Sequence, residues 1–360
     1  MTDAVMMLAL AEGFGERVIP ALLQHGVDPA AVLAARPVVP RSVPPAAAAR
    51  LLSGDLPERA AQTLGRAEAA GVAVLTRAHP RWPRGLARLA TPPLVLFARG
   101  SLEALDRAPA AAVVGSRTPT PYGVDAAAQV ASALAESGAT LWSGLARGVD
   151  AAAHRACLQA GVPTVAVLAG GLDEVYPPEH DALAEQISTA GGCLLSELPL
   201  GRRARRGHFL RRNRLLATAP PAVIVVEGSL TSGALHTARF AAEAGVDVHC
   251  LPGPWLSERS QGCHRLIHEG ATIIESVEAL LQGVGLASPG AAEALALALD
   301  AGERAVLRQL DGGPRPTDLL RRECGLAGPE TLRALARLER RGAVTRSAGD
   351  LWSRAAARRR

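Results

Sequence analysis

Between residues 76 and 283 the chain alternates short apolar runs with longer amphipathic stretches. The runs Leu94–Ala98, Ala110–Val114, Thr140–Trp142, Thr164–Ala169, Cys193–Ser196, Val223–Glu227, Val246–Leu251 and Thr272–Ile274 predict strands. Most of them are separated by stretches such as Val124–Ser137 and Ala234–Ala244, whose apolar spacing predicts helices. Strands that are apolar throughout and spaced by helices predict an α/β fold, a parallel sheet covered on both faces. Such sheets hold ligands at the carboxyl ends of their strands, where the connecting loops gather.

The flanks read differently. Residues 1–75 are alanine-rich and helical in period, interrupted by Pro37, Pro40, Pro44 and Pro45, and are expected to form a separate helical domain. Within them Leu8–Ile19 reads as helix, Gly13-Phe-Gly15 turn and helix: either a helix-hairpin-helix able to hold a phosphate or an ordinary helical pair. Residues 284–300 read as a Gly/Ala/Ser linker. Beyond it, Gly302–Leu310, Thr317–Glu323 and Pro329–Arg341 predict three helices and Gly342–Arg354 a hairpin, together a winged helix over 301–360. Glu330–Arg341 stands in the recognition-helix position and carries Arg333, Arg337, Arg340 and Arg341. The pattern alone leaves open whether that module meets duplex DNA or a protein.

Composition narrows the chemistry. The 360 residues are 48% hydrophobic, enough to bury a core. The net charge of +5 suggests a polyanion only where it is clustered. Every basic side chain apart from histidine is arginine, so a Walker A phosphate loop and a Schiff-base enzyme are both excluded for want of a lysine. The five cysteines (157, 193, 250, 263 and 324) form no C-x-x-C pair and read as reduced, buried thiols. Cys263, His264 and His268 match no common zinc spacing, so no metal is expected. No basic leader opens the chain, and no apolar run approaches the roughly 18–20 residues that span a bilayer. The expectation is a soluble, cytoplasmic protein without a membrane contact.

Four strand-end loops carry candidate chemistry. Gly115-Ser116-Arg117-Thr118 leaves one strand for a helix, and its amides and hydroxyls can bind an anion. It is not G-x-G-x-x-G, which argues against a dinucleotide, and no cofactor is expected. In the second, Ser143-Gly144-Leu-Ala-Arg-Gly-Val-Asp150, Asp150 suits an N-cap with His154 one turn on. With no nucleophile beside them, capping and a buried hydrogen bond are the expected roles. The third is a run from Leu198 to Val226 with no acid, in which Arg202, Arg203, Arg205, Arg206, Arg211, Arg212 and Arg214 accompany His208, Phe209 and Asn213. Guanidinium groups bind phosphates bidentately, and a ring among them can stack on an unpaired base. That combination favours single-stranded nucleic acid over duplex. The fourth, Glu227–Ala234 with Ser232 at a helix start, can hold another phosphate or simply turn the chain.

Together these motifs resemble the DNA-processing protein A (DprA, or Smf) family. The carrying residues are Val114-Gly115-Ser116-Arg117, Ser143-Gly144 to Asp150 with Ala153-His154, Tyr176-Pro177, Ser196-Glu197, Phe209-Leu-Arg-Arg-Asn-Arg214, Ser232-Gly233, Pro252-Gly253 and Gly262 to Ala271. His79-Pro-Arg-Trp-Pro83 resembles the family's entry into its α/β domain, and the match runs over residues 79–275. The resemblance implies a Rossmann-like, mostly parallel sheet with helices on both faces, and binding without catalysis. It implies single-stranded DNA held in a basic pocket and passed to the RecA recombinase in natural transformation. It also implies a homodimer formed through the later part of the domain. Carried over, the pocket would contain Ser116, Arg117, Ser143, Gly144, Arg206, Phe209, Arg211, Asn213 and Arg214, with Ser232 joining from the fourth loop. Leu210 replaces the family's proline, which is expected to loosen the arginine loop. The competing reading is a Rossmann-type nucleotide hydrolase of the lysine-decarboxylase-like, cytokinin-activating class. Its P-G-G-x-G-T-x-x-E loop is not matched by Gly228–Thr237.

Overall fold

The structure, a computed structural model, describes residue 49 and residues 55–286, 300–310, 313–340, 344–347 and 350–354. The helical pair expected at Leu8–Ile19, the proline cluster and most of the linker lie outside the described residues. The described residues up to 284 and those from 285 onward form two separate units.

In the first unit the elements run α1 (Leu56–Ala69), β1 (Ala73–Thr76), β2 (Val95–Gly100), β3 (Ala110–Val114), α2 (Pro121–Glu136), β4 (Thr140–Ser143), α3 (Val149–Gln159) and β5 (Thr164–Val167). They continue with α4 (Asp181–Thr189), β6 (Cys193–Ser196), α5 (Arg206–Thr218), β7 (Ala222–Val225), α6 (Gly233–Glu243), β8 (Asp247–Cys250), α7 (Gln261–His268), β9 (Thr272–Ile273) and α8 (Val277–Gly283). The nine strands form one sheet in the order β1-β2-β6-β5-β4-β3-β7-β8-β9. β2 is antiparallel to β1 and β6, and every other pairing is parallel. The chain builds β3 to β6 toward one side, then returns to place β7 beside β3. That reversal makes the carboxyl ends of β3 and β7 the switch point of the sheet, the place where open α/β sheets bind ligands.

Strand alternation divides the core into two layers. Val165 and Val167 face α5 and α6 through Leu215, Leu216 and Leu235. Ala166 and Leu194 face the other layer, with Ile187 of α4 and Leu56 and Ala60 of α1. The first helix therefore belongs to the sheet. The boundary expected between residues 75 and 76 falls inside β1, whose Ala73–Thr76 pairs with Val95–Ala98. In sequence α1 reads as part of a separate helical segment because its apolar face, Leu56, Ala60 and Ala67, does not reveal which partner buries it. Cys157, Cys193, Cys250 and Cys263 are buried as free thiols, and Cys324 is half-buried. Among the described residues no helix is long and apolar enough to cross a membrane.

The second unit contains α9 (Ala301–Leu310), β10 (Arg315–Pro316), α10 (Thr317–Cys324), α11 (Gly328–Arg340), β11 (Val344–Ser347) and β12 (Leu351–Arg354). Its sheet has the order β10-β12-β11, one strand more than the expected hairpin. Val306, Leu307, Leu320, Leu335, Leu338 and Trp352 form its core, and Trp352 Nε1 donates to Thr317 Oγ1 at 2.9 Å. On the expected recognition helix, Arg337 pairs with Asp300 and Glu303 of the same unit, so its charge is already neutralised.

Candidate nucleic-acid interface

The arginine segment is not one loop. Residues 197–205 link β6 to α5, and the run from Arg206 onward is the first three turns of that helix. Arginines occupy the inner positions where apolar residues normally reveal a helix: Arg212 and Arg214 are buried beside Leu215 and Leu216. Arg212 reaches under the strand ends and donates to the carbonyls of Gly144 and Val167, while its Nε lies 3.2 Å from Asn213 Oδ1. Burial lowers its pKa to about 10, partly offset by Asp150, so it remains a cation at neutral pH.

Asp150 is not the N-cap of α3; Gly148 holds that position. The carboxylate instead turns back to accept from the amides of Gly144 at 3.1 Å and Ala146 at 3.2 Å, fixing the loop after β4. Its burial raises its pKa against the opposing pull of Arg212 and those two amides. The His154 imidazole bonds elsewhere. Thr164 Oγ1 donates to the Leu141 carbonyl, so His154 Nδ1, 2.9 Å away, donates to Thr164. The Asp/His pair is thus two separate structural anchors.

The two loop glycines serve packing. A Cβ on Gly115 would come within 2.6 Å of Val149, and one on Gly144 would collide with the Arg212 guanidinium. Each glycine lets another element sit against the loop while the loop itself borders a cavity.

At the switch point these loops enclose a cleft of about 350 Å³. Ser116, Arg117 and Thr118 line it after β3, Ala146 and Asp150 after β4, Arg212 and Asn213 from α5, Ser229 and Ser232 to Ala234 after β7, and Arg259 after β8. Three guanidinium groups (Arg117, Arg212, Arg259) therefore face one carboxylate, whose Oδ2 accepts from two backbone amides. Arg259 donates to Ser116 Oγ at 3.2 Å and to the carbonyl and hydroxyl of Thr118, all neutral acceptors. Ser232 caps α6 by accepting from Ala234, which aims that helix's first amides at the cleft. Beside the cleft is a smaller recess lined by Arg117, Gly144, Arg147, Tyr176, Pro177 and Phe209. There the Arg117 guanidinium carbon sits 4.8 Å from the Phe209 centroid, and Tyr176 meets the same ring edge-on at 5.4 Å. The whole is an excess of positive charge with rings at one end, suited to a phosphate chain carrying unstacked bases.

A model of the DNA recombination-mediator protein A family matches residues 73–285, and one of the DprA winged helix domain matches residues 290–350. The chain belongs to the DNA recombination-mediator protein A family. Protein Smf of Synechocystis is 43% identical over 214 residues, which are 59% of this chain and 54% of that protein. The chain thus spans about half the length of this relative. The structure of DNA processing protein A from Streptococcus pneumoniae superposes with a TM-score of 0.62 at 30% identity, covering 78% of this chain and 97% of that one. DNA processing protein A from Helicobacter pylori, whose structure is described for its single-stranded DNA binding mode, gives a TM-score of 0.53 at 30% identity over 59% of this chain and 94% of that one.

Within this member of the recombination-mediator protein A family the ten candidate residues separate. Ser116, Arg117, Asn213 and Ser232 line the cleft, and Gly144 and Phe209 line the recess that Arg117 joins to it. Ser143 is inside the sheet, its hydroxyl donating to the Val113 carbonyl at 2.6 Å. Arg214 is buried, with Nη2 2.6 Å from both carboxylate oxygens of Glu197 and Nη1 on the Thr91 carbonyl. Arg211 shares Glu197 at 3.2 Å and keeps part of its surface exposed. Arg206 is exposed at the first residue of α5, outside both cavities. Leu210, in place of the family's proline, does not loosen a loop; it stands in the second turn of α5, where its amide is available to the helix. Arg212 and Arg259 are the cleft cations that sequence reasoning left out. For Arg259 the available signal was position: β8 neighbours β7, so the loop after it reaches the same rim.

Proposed function

We propose that this chain binds single-stranded DNA in the switch-point cleft and delivers it to the RecA recombinase during natural transformation and recombination, without catalysing a chemical step. The observation that carries this is the convergence of Arg117, Arg212 and Arg259 on one cleft with a single, amide-bound carboxylate, next to the Phe209–Tyr176 rings. Family membership and the H. pylori relative described for its single-stranded DNA binding mode support it. A binding role is further supported by the carboxylates near the cleft. Asp150 is held by two amides, and Glu227 accepts from the Thr120 amide at 2.9 Å and from its hydroxyl. Each is thus held in place by the loop it serves, and no nucleophile is paired with either. The homodimer contact belongs to the later part of the domain, where β9 leaves both its residues exposed at the sheet edge.

Competition tests the reading. Unlabelled single strands should displace a fluorescent single-stranded oligonucleotide from the full chain, and the matching duplex should not. On single strands coated with a single-strand-binding protein, the chain should shorten the lag before RecA filaments form. An unchanged lag removes the delivery step and leaves the binding. Release of ribose phosphate from nucleoside monophosphates would overturn the non-catalytic role.

A further inference from the structure

Of the four tryptophans, Trp82, Trp142 and Trp352 are at most 8% exposed, whereas Trp255 is 79% exposed and its neighbour Leu256 78%. A large ring left in water forgoes its burial energy, and on a folded surface such a patch marks a contact. Trp255 is at the tip of the loop between β8 and α7, and that loop is pinned on several sides. Tyr122 Oη donates to the Pro252 carbonyl at 2.7 Å, and His264 Nε2 lies 3.0 Å from the Gly253 carbonyl. Turn bonds run from Ser257 N to Pro254 O and from Ser260 N to Ser257 O, each 3.0 Å, and Gly228 N donates to Arg259 O at 2.8 Å. The ring is therefore presented by an ordered loop whose other end, Arg259, lines the cleft.

We propose that the Pro252–Ser260 loop is a second single-strand contact, in which Arg259 holds a phosphate inside the cleft and Trp255 stacks an unpaired base beyond its rim. The inference rests on the proposed single-strand reading and names a site that reading does not contain. Two features select a base as the occupant. Arg259 bonds only neutral oxygens and has no carboxylate partner among the described residues, so its charge is available to a phosphate. Four residues of chain span at most about 14 Å, which brings Trp255 within reach of nucleotides adjoining that phosphate. Phe209 and Trp255 then stand on different elements bordering one cleft, α5 and the β8–α7 loop, so a strand stacked on both would run through it. Glu258, the loop's one acidic residue, is exposed and opposes a nearby phosphate.

The isolation of Trp255 supplies the test. Fluorescein-labelled oligothymidylate is titrated with the full chain while anisotropy and intrinsic tryptophan emission are followed together. Emission should fall as the complex forms, and the fall should be absent in Trp255→Ala. That variant should bind about 5- to 150-fold more weakly, the range for losing one stacked base, and Trp255→Phe should recover most of the loss. Glu258→Gln should tighten binding by up to about 5-fold. The side chain is exposed, so the fold does not depend on it; circular dichroism checks this. Full-strength binding by Trp255→Ala overturns the proposal and leaves the cleft intact as a site. The same result with an altered sedimentation coefficient assigns Trp255 to a contact between copies of the chain. If wild-type chain gives no anisotropy change at all, the single-strand reading itself fails.

Discussion

The guanidinium carbon of Arg117 lies 4.8 Å from the centre of the Phe209 ring, joining the loop after β3 to the first turns of α5. One contact thus ties the loop proposed to meet phosphate to the ring proposed to stack a base. Arg117 is exposed and, among the described residues, without an ion pair, so it can turn toward a phosphate while the ring receives a base.

Phe209→Ala is expected to weaken single-strand binding by about 1–3 kcal/mol, and Arg117→Ala by about 0.5–2 kcal/mol. Because the two side chains touch, the double variant should lose less than the sum. Fluorescence anisotropy on the four proteins of the cycle measures both the losses and the coupling. Strict additivity would separate the two residues functionally.

Arg214 has the opposite profile. Its ion pair with Glu197 is nearly closed to solvent on both sides, and burial alone lowers its pKa to about 10. Removing one partner of such a pair costs about 3–5 kcal/mol, because the other is left charged in a poor solvent. Arg211 remains beside Glu197 and should hold Arg214→Ala to the lower end of that range. Urea unfolding should register this loss, while the folded fraction binds single strands with near-wild-type affinity. Wild-type stability combined with lost binding would return Arg214 to the DNA contact.

Acid should act through His154. Burial, aided by His180, Arg212 and Arg155, lowers its pKa from 6.5 to about 3. Between those values the unfolded chain takes up a proton that the folded chain refuses, so stability is full above pH 6.5 and declines as the pH falls. The slope contributed is about 1.4 kcal/mol per pH unit. His154→Gln, unable to titrate, should flatten the stability curve across that window, as read from denaturant midpoints. An unchanged slope would mean that the imidazole is protonated in the folded chain.

The sheet was legible because parallel strands buried on both faces are continuous apolar runs, and Ser232 was legible as a helix start because a hydroxyl there satisfies a free amide. The arginine segment was legible in its charge and not in its geometry. Arg211, Arg212 and Arg214 are near neighbours in sequence but point differently around α5, and Glu197, which engages Arg211 and Arg214, is 14–17 positions earlier. No local pattern tells a guanidinium bound to strand-end carbonyls from one facing a cleft. The packing role of Gly115 and Gly144 was not legible, because a sequence cannot display Val149 or the Arg212 side chain packed where their Cβ atoms would be. Arg259 carried no cluster to mark it; only the strand order brings its loop to the cleft.

The most direct measurement is the salt dependence of single-strand binding by the full chain and by Arg259→Ala. Binding through phosphates makes the logarithm of the association constant fall linearly with the logarithm of salt, by about 0.7 for each phosphate neutralised on a single strand. With Arg117 and Arg259 each engaging one phosphate, the slope should be about −1.4 or steeper, and Arg259→Ala should flatten it by about 0.7. Duplex of the same length should bind more weakly throughout. A slope near zero, or equal affinity for single and double strands, would contradict the account.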